Sequence, residues 1–251
     1  MTGPILPHMP GLVVMDLADP TLDRDAAYAH LQQVKALHLH YFPTYPHMLD
    51  ELESWFSHGW PDPEVRVHVW LGLLDGEPAL ECIMHVNLRR QVMLTHYLAA
   101  IPALRRRAGR GWLTDVTAEW VRTGQADCAA VGRDLWAVMA EVPPEHLHKW
   151  LRSGFGHIGI DYAEPLGGRY RQLDRPPLYS QMWPILLVTE AGRQQPYAEV
   201  ARRGLAAFLR DYYLVPETDP RGAAMFAAAA GCDGPTISQS WATRMLVGPA
   251  G

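Results

Sequence analysis

Residues Gln91 to Val142 read QVMLTHYLAAIPALRRRAGRGWLTDVTAEWVRTGQADCAAVGRDLWAVMAEV, and the order of residue types in this stretch decides the fold. It opens on an apolar run rich in strand formers, Val92 to Ala100, and closes on a second, Leu135 to Val142. Between them Trp112, Val116 and Trp120 fall four apart, the spacing of one helix face, and Gly124 is placed as a helix stop. Strand, tight turn, helix, strand is a βαβ crossover, which predicts two parallel strands buried on both faces. The turn is Arg105-Arg106-Arg107-Ala108-Gly109-Arg110-Gly111. Two glycines two apart let the backbone approach a ligand with no Cβ in the way. Free N–H groups opening the next helix form an anion site at the positive end of its dipole. The arginines add charge, and the combination suits a pyrophosphate. The spacing is neither the dinucleotide fingerprint G-x-G-x-x-G nor a phosphate loop ending in G-K-[S/T].

Upstream, Leu12 to Met15 is a short apolar piece within a Pro- and Gly-rich lead of residues 1–23, read as an arm or an edge strand. Asp25 to His40 has helical spacing through Leu31, Val34 and Leu37, with Asp23 as its cap. Phe42-Pro43-Thr44-Tyr45-Pro46 breaks it, and Met48 to His58 is a second helix. Val65 to Leu74 and Pro78 to Val86 form a hairpin about Asp75-Gly76. Arg89 and Arg90 read as the exposed tip of the next turn. Downstream come a short helix from His146 to Arg152, a strand from His157 to Tyr162, and a last strand from Tyr179 to Thr189. Pro184 within that last strand places it at the far end of the sheet. Pro196 to Tyr213 is an amphipathic helix, and Asp219 to Gly251 a further short helix with a tail.

At 251 residues, 48% hydrophobic and 20% charged, the composition is that of a globular protein. A net charge of -5 argues against general nucleic-acid binding despite the arginines. Cys82, Cys128 and Cys232 are far apart and without C-x-x-C spacing, which reads as reduced and cytoplasmic. No apolar run is long enough to span a bilayer, so no membrane association is expected. His146 and His148, like His38 and His40, lie two apart on a helix and share no face, so no metal is expected.

Arg106-Arg107-Ala108-Gly109-Arg110-Gly111 matches R-x-x-G-x-G, and in this setting the chain resembles the GNAT N-acyltransferase superfamily, in a branch with an extra C-terminal helix. The hairpin at Leu74-Asp75-Gly76-Glu77 and the helix ending in Gly154-Phe155 follow that family's order. The resemblance implies an α/β fold: a GNAT-like mixed sheet with a central parallel βαβ, an antiparallel N-terminal meander and flanking helices. It implies an acyltransferase domain over 24–190 and a helical extension over 191–251 packed on that domain. It further implies acyl transfer from acetyl-CoA, or another acyl-CoA, to a small-molecule or peptide amine, with a homodimer open. By the same resemblance Leu98, Ala99, Ala100 and Ile101 supply backbone contacts to the pantetheine arm, and Arg106, Arg107, Ala108, Gly109, Arg110 and Gly111 hold the pyrophosphate. The family's usual Pro-x-x-Arg is stretched here by one residue after Pro102. Many members also carry a tyrosine four residues before the Gly of Gly-Phe, where it protonates the leaving thiolate. Trp150 stands there instead.

Acyl transfer to an amine needs alignment, a donor for the carbonyl and a modest acid–base term. Glu141, a carboxylate ending an apolar strand, is the first candidate base, or else a solvated strand-end residue. His96, within the strand before the turn, reads as a base or as a core histidine. Tyr162 reads as a relocated acid or as a core tyrosine with its hydroxyl at the rim. Phe42, Tyr45, His47 and Trp55 read as an acceptor cleft or a packed helix pair. The other reading of the whole chain is a catalytically inactive CoA-binding or interaction module.

Overall fold

The computed structural model describes Leu6, Met9, residues 11–166 and residues 179–236. Residues 1–5, 7, 8 and 10 of the expected arm, and the expected tail from residue 237, lie outside the described residues. The chain forms two compact units, Met1–Val86 with Thr95–Glu119, and Asn87–Leu94 with Trp120–Gly251.

In the first unit the strand order is β1-β2-β3-β4. β1 (Leu12–Asp16) is an edge strand, antiparallel to β2 (Val65–Leu74) from Leu12↔Leu74 to Asp16↔Trp70. α1 (Arg24–Tyr41) starts where the Asp23 side chain accepts the Ala26 N–H, satisfying one donor of the open first turn. Its buried face, Ala27, Leu31, Val34 and His38, repeats at helical spacing. α2 (His47–His58) stops at Gly59, whose φ of 75° few side chains tolerate. β2 turns into β3 (Glu77–Asn87) through Asp75 and Gly76, with φ of 53° and 90°, the two positive values of a tight hairpin turn.

β4 (Val92–Ala100) leads into the organising segment, and here the structure corrects the expected turn. Pro102 opens a short helix, α3 (Pro102–Ala108), because its fixed φ suits a first helical position. Arg105, Arg106 and Arg107 therefore lie on a helical turn, and only Gly109–Gly111 remains as a tight link before α4 (Trp112–Ala129). Gly124 does not stop α4. It lies inside that helix, and a Cβ there would stand 2.9 Å from Leu135 Cδ2, so the glycine serves close packing against that side chain. The helix ends instead around Gly132, at φ 70°, where Arg133 N–H returns to Cys128 O and Gly132 N–H to Ala129 O. Those are the paired bonds of a Schellman close.

The second unit holds Val92–Leu94 of β4, then β5 (Ala137–Val142), β9 (Trp183–Val188) and β6 (Gly156–His157), in the order β4-β5-β9-β6. β4 and β5 form the parallel pair and the remaining pairs are antiparallel, which is the mixed α/β sheet expected. α5 (Leu147–Leu151) precedes β6. The strand expected over His157 to Tyr162 is cut to two residues, since Gly159 turns the chain at φ 84°. β7 (Ala163–Pro165) and β8 (Tyr179–Gln181) pair separately. β9 is not an edge strand: it lies between β5 and β6, with Pro184 opposite Glu141. The proline is accommodated where β6 pairing runs out, with Ile158 N–H donating to its carbonyl. After α6 (Glu190–Arg193), α7 (Tyr197–Ala206) passes into a π-helical turn over Ala207–Tyr212, and α8 (Pro220–Ala230) starts at Asp219. Arg90 is no free hairpin tip, because its guanidinium forks onto Asp211 at 2.9 and 3.3 Å while Asn87 donates to the same carboxylate.

Candidate active site

β5 is apolar except for Glu141, and strand alternation fixes which way that side chain points. Two chain segments of the second unit bring polar groups to it. Tyr162, in the turn before β7, donates its hydroxyl to Glu141 Oε1. Tyr213, just past the π-helical turn, donates to Glu141 Oε2 at 2.7 Å and lies 3.1 Å from Glu164 Oε1. Tyr162, Glu164 and Tyr213 are buried while Glu141 keeps partial exposure. Burial, and next the charge of Glu164, push the Glu141 carboxyl well above the usual carboxylate range. Burial first, then the Glu141 carboxylate, push the Tyr162 hydroxyl up, and the same causes act on Tyr213. Both phenols therefore stay protonated donors. The result is one carboxyl group, poised nearer neutrality than a free glutamate, held by two fixed hydroxyls beside a second carboxylate. Such a group can take up or release one proton. Glu141 and Tyr162, both expected from sequence, come together; Glu164 and Tyr213 were not expected. An acid in the short Asp161-Tyr162-Ala163-Glu164 run is the only sequence hint of Glu164.

His96 is in the first unit, on β4, and its Nε2 lies 3.0 Å from His85 Nδ1. The ring is stripped of water, which lowers it to about 3 and leaves it neutral wherever amines react. Burial that opposes protonation this strongly argues against His96 as the base. Trp55 and Trp60 pack against His85, with ring centroids 4.7 and 4.3 Å away. Phe42 and Tyr45 both pack edge-on to Tyr97, at 5.0 and 5.7 Å, and His47 on Tyr45 at 5.9 Å. The aromatic residues after α1 are thus largely packed on one another.

His38 shares no face with His40, as expected, yet it is not a surface residue. Its Nε2 donates to Tyr45 O at 3.1 Å and its Nδ1 lies 2.8 Å from Glu81 Oε1, with both side chains fully buried. Burial raises the Glu81 carboxyl. Among the described residues no group of three or more His, Cys, Asp or Glu side chains is arranged to hold a metal ion.

For a nucleotide cofactor the relevant features also lie in the first unit. Ile101 N–H is taken by Ala79 O at 2.9 Å, so by strand alternation the peptide groups of Leu98 and Ala100 point away from β3, while Ala99 shares the direction of Ile101. Gly109 N–H closes α3 onto Arg105 O, and at φ 72°, ψ -157° it has a backbone that only glycine adopts readily. Ala108 precedes it, and Arg110 and Gly111 are exposed at the head of the 18-residue α4. Arg106 is exposed, whereas Arg107 pairs with Asp75 at 2.7 Å in the open, a contact of little strength that an anion can displace. An exposed guanidinium cluster beside a helix N-terminus fits a pyrophosphate. In the second unit Trp150 stacks on Trp120, with centroids 5.7 Å apart and planes 18° from parallel. It is a packing residue.

No protein-family model matches the chain, and no curated protein matches it. Among solved structures it is similar to a chimera built on the spermidine N-acetyltransferase of Vibrio cholerae, at 13% identity over 74% of this chain and 99% of that one, with a TM-score of 0.46. An acetyltransferase from Bacillus subtilis solved with CoA is similar at 13% identity, 71% and 99% coverage and a TM-score of 0.42. A Desulfovibrio desulfuricans protein assigned to the GNAT acetyltransferases is similar at 13% identity, 70% and 98% coverage and a TM-score of 0.45. Likeness at this level carries nothing about substrate or residue roles.

Proposed function

We propose that this protein is an acyl-CoA-dependent N-acyltransferase that moves an acetyl group from acetyl-CoA to a primary amine by direct attack. The observation that carries the reading is the Gly109-Arg110-Gly111 link, which joins α3 to the N-terminus of α4, with Arg110 exposed on it and Arg106 exposed on α3. Arg106, Arg110 and the first amides of α4 hold the pyrophosphate, with Arg107 recruited from Asp75. Leu98 and Ala100 offer the peptide groups that a pantetheine amide needs. The bound thioester supplies an activated acyl carbon. The amine loses one proton as its nitrogen bonds to that carbon, and the departing thiolate gains one, so a single group that stores a proton balances the reaction. Glu141, with Tyr162 as its donor, has that role in this proposal, which departs from the usual tyrosine at the place of Trp150. The test is thiol release from acetyl-CoA against a panel of primary amines. Release that depends on amine and is lost in Glu141→Gln is expected; release independent of any amine, or none, would sink the reading.

A second reading rests on Trp150. With an indole stacked on Trp120 where the family's acid would be, a CoA-binding module without transfer activity predicts binding of acetyl-CoA and no turnover.

A further inference from the structure

The first unit contains a cavity of about 690 Å³ that plays no part in the acyl-transfer reading. Leu31 of α1, Leu52, Trp55 and Phe56 of α2, and Val67 and Val69 of β2 give it apolar walls. Its size is that of a small-molecule site. Two arginines complete the lining, Arg24 from α1 and Arg66 from β2. Each guanidinium is steadied by backbone carbonyls: Arg24 Nη2 donates to Phe56 O at 2.7 Å and to Ser57 O at 3.3 Å, and Arg66 Nη1 donates to Pro63 O at 2.8 Å. Neither has a carboxylate partner among the described residues. Two carboxylates also line the cavity, and both have local donors. Asp19 accepts the Thr21 N–H and hydroxyl, each at 2.8 Å, and Asp62 accepts the Glu64 N–H at 2.9 Å. The lining therefore combines two anchored cations, each with donors to spare, and apolar walls.

We infer that this cavity binds a small carboxylic acid with an aromatic or branched apolar body, its carboxylate held by Arg24 and Arg66. Paired guanidinium forks suit a carboxylate, and burying the apolar body against Leu31, Leu52 and Trp55 contributes most of the affinity. The inference stands independently of acyl transfer, since it needs neither acyl-CoA nor Glu141.

The probe is indole-3-acetate, with tryptamine as its cationic counterpart, followed by calorimetry on the full chain. The Trp55 indole N–H, assigned by its loss in Trp55→Phe, serves as a local reporter by nuclear magnetic resonance. Expected are binding of indole-3-acetate with a shift of that resonance and a drop in affinity of about tenfold or more in Arg24→Gln/Arg66→Gln, in line with loss of charge-assisted bonds. Ala27→Leu, which fills the chamber from α1, should weaken binding while the unaltered spectrum elsewhere reports an intact fold. Tryptamine binding as tightly as indole-3-acetate, affinity unchanged in the arginine variant, or no binding of either compound would each overturn the inference.

Discussion

Glu141 shows how much one side chain's surroundings decide. Its carboxyl is raised by burial and then by Glu164, so across the range above an ordinary carboxylate's pKa the folded state holds a proton that the unfolded chain has released. Folding is then disfavoured progressively as pH rises from the unfolded value toward the folded one, and this penalty is absent below it. Glu141→Gln should therefore flatten the loss of stability between about pH 4.3 and neutrality, as read by denaturant midpoints at a series of pH values. The same variant should lower kcat by about 10²- to 10⁴-fold while leaving acetyl-CoA affinity in place. Tyr162→Phe should reduce kcat less. The buried His38–Glu81 pair makes a different prediction. Because Nε2 must donate to the Tyr45 carbonyl, Nδ1 either donates to a Glu81 carboxylate or accepts from its protonated form, and either way the pair is neutral as a unit. His38→Leu strands Glu81 and should cost about 3–5 kcal/mol in chemical denaturation. Sequence spacing could not find the partner of His38, since Glu81 lies 43 positions away on β3. Glu141 was legible because an acid in an apolar strand is conspicuous, whereas Glu164 is an ordinary loop-like acid until the chain folds.

Among the elements, β2, β3, β4, α1 and the closing strand β5 were readable, because each has either strict periodicity or a strong turn at its end. Two misreadings came from residues with two uses. Gly124 was read as a stop, yet its lack of a side chain serves contact with Leu135. Pro184 was read as an edge marker, yet β9 tolerates it in an interior position because only one amide donor is forgone. The arginine turn became helical because Pro102 sets the first φ and Ala103, Leu104 and Arg105 all favour helix. Glycines provide the test at this scale. In Gly124→Ala the new methyl meets a side-chain end that can shift, and overpacking should cost about 1–3 kcal/mol. In Gly192→Ala it would stand 2.1 Å from the Trp136 carbonyl oxygen, a backbone atom that Thr189 N–H also binds. Gly192→Ala should be the more damaging of the two by thermal melting. Equal losses would mean that the Trp136 backbone gives way as easily as Leu135.

At the scale of the whole chain, the resemblance predicted two helices, an antiparallel meander, a parallel βαβ and a closing helix and strands, to which the structure adds α3 within the crossover and the separate β7–β8 pair. The sequence revealed neither the acceptor nor the first-unit cavity, which is lined from α1, α2, β2 and the loops before and between them, so that no short motif records it. The proposed pyrophosphate site is the reverse case, being almost contiguous, and it carries the central claim. Calorimetric titration of acetyl-CoA into the wild type and into Gly111→Glu and Gly111→Ala tests that claim most directly. Gly111 is exposed, and only glutamate places a negative charge where the pyrophosphate is proposed to lie. Binding weakened in Gly111→Ala, whose Cβ intrudes on the backbone approach, and weakened by at least tenfold more in Gly111→Glu is the predicted result. Equal binding by all three proteins, or binding by none, would contradict it.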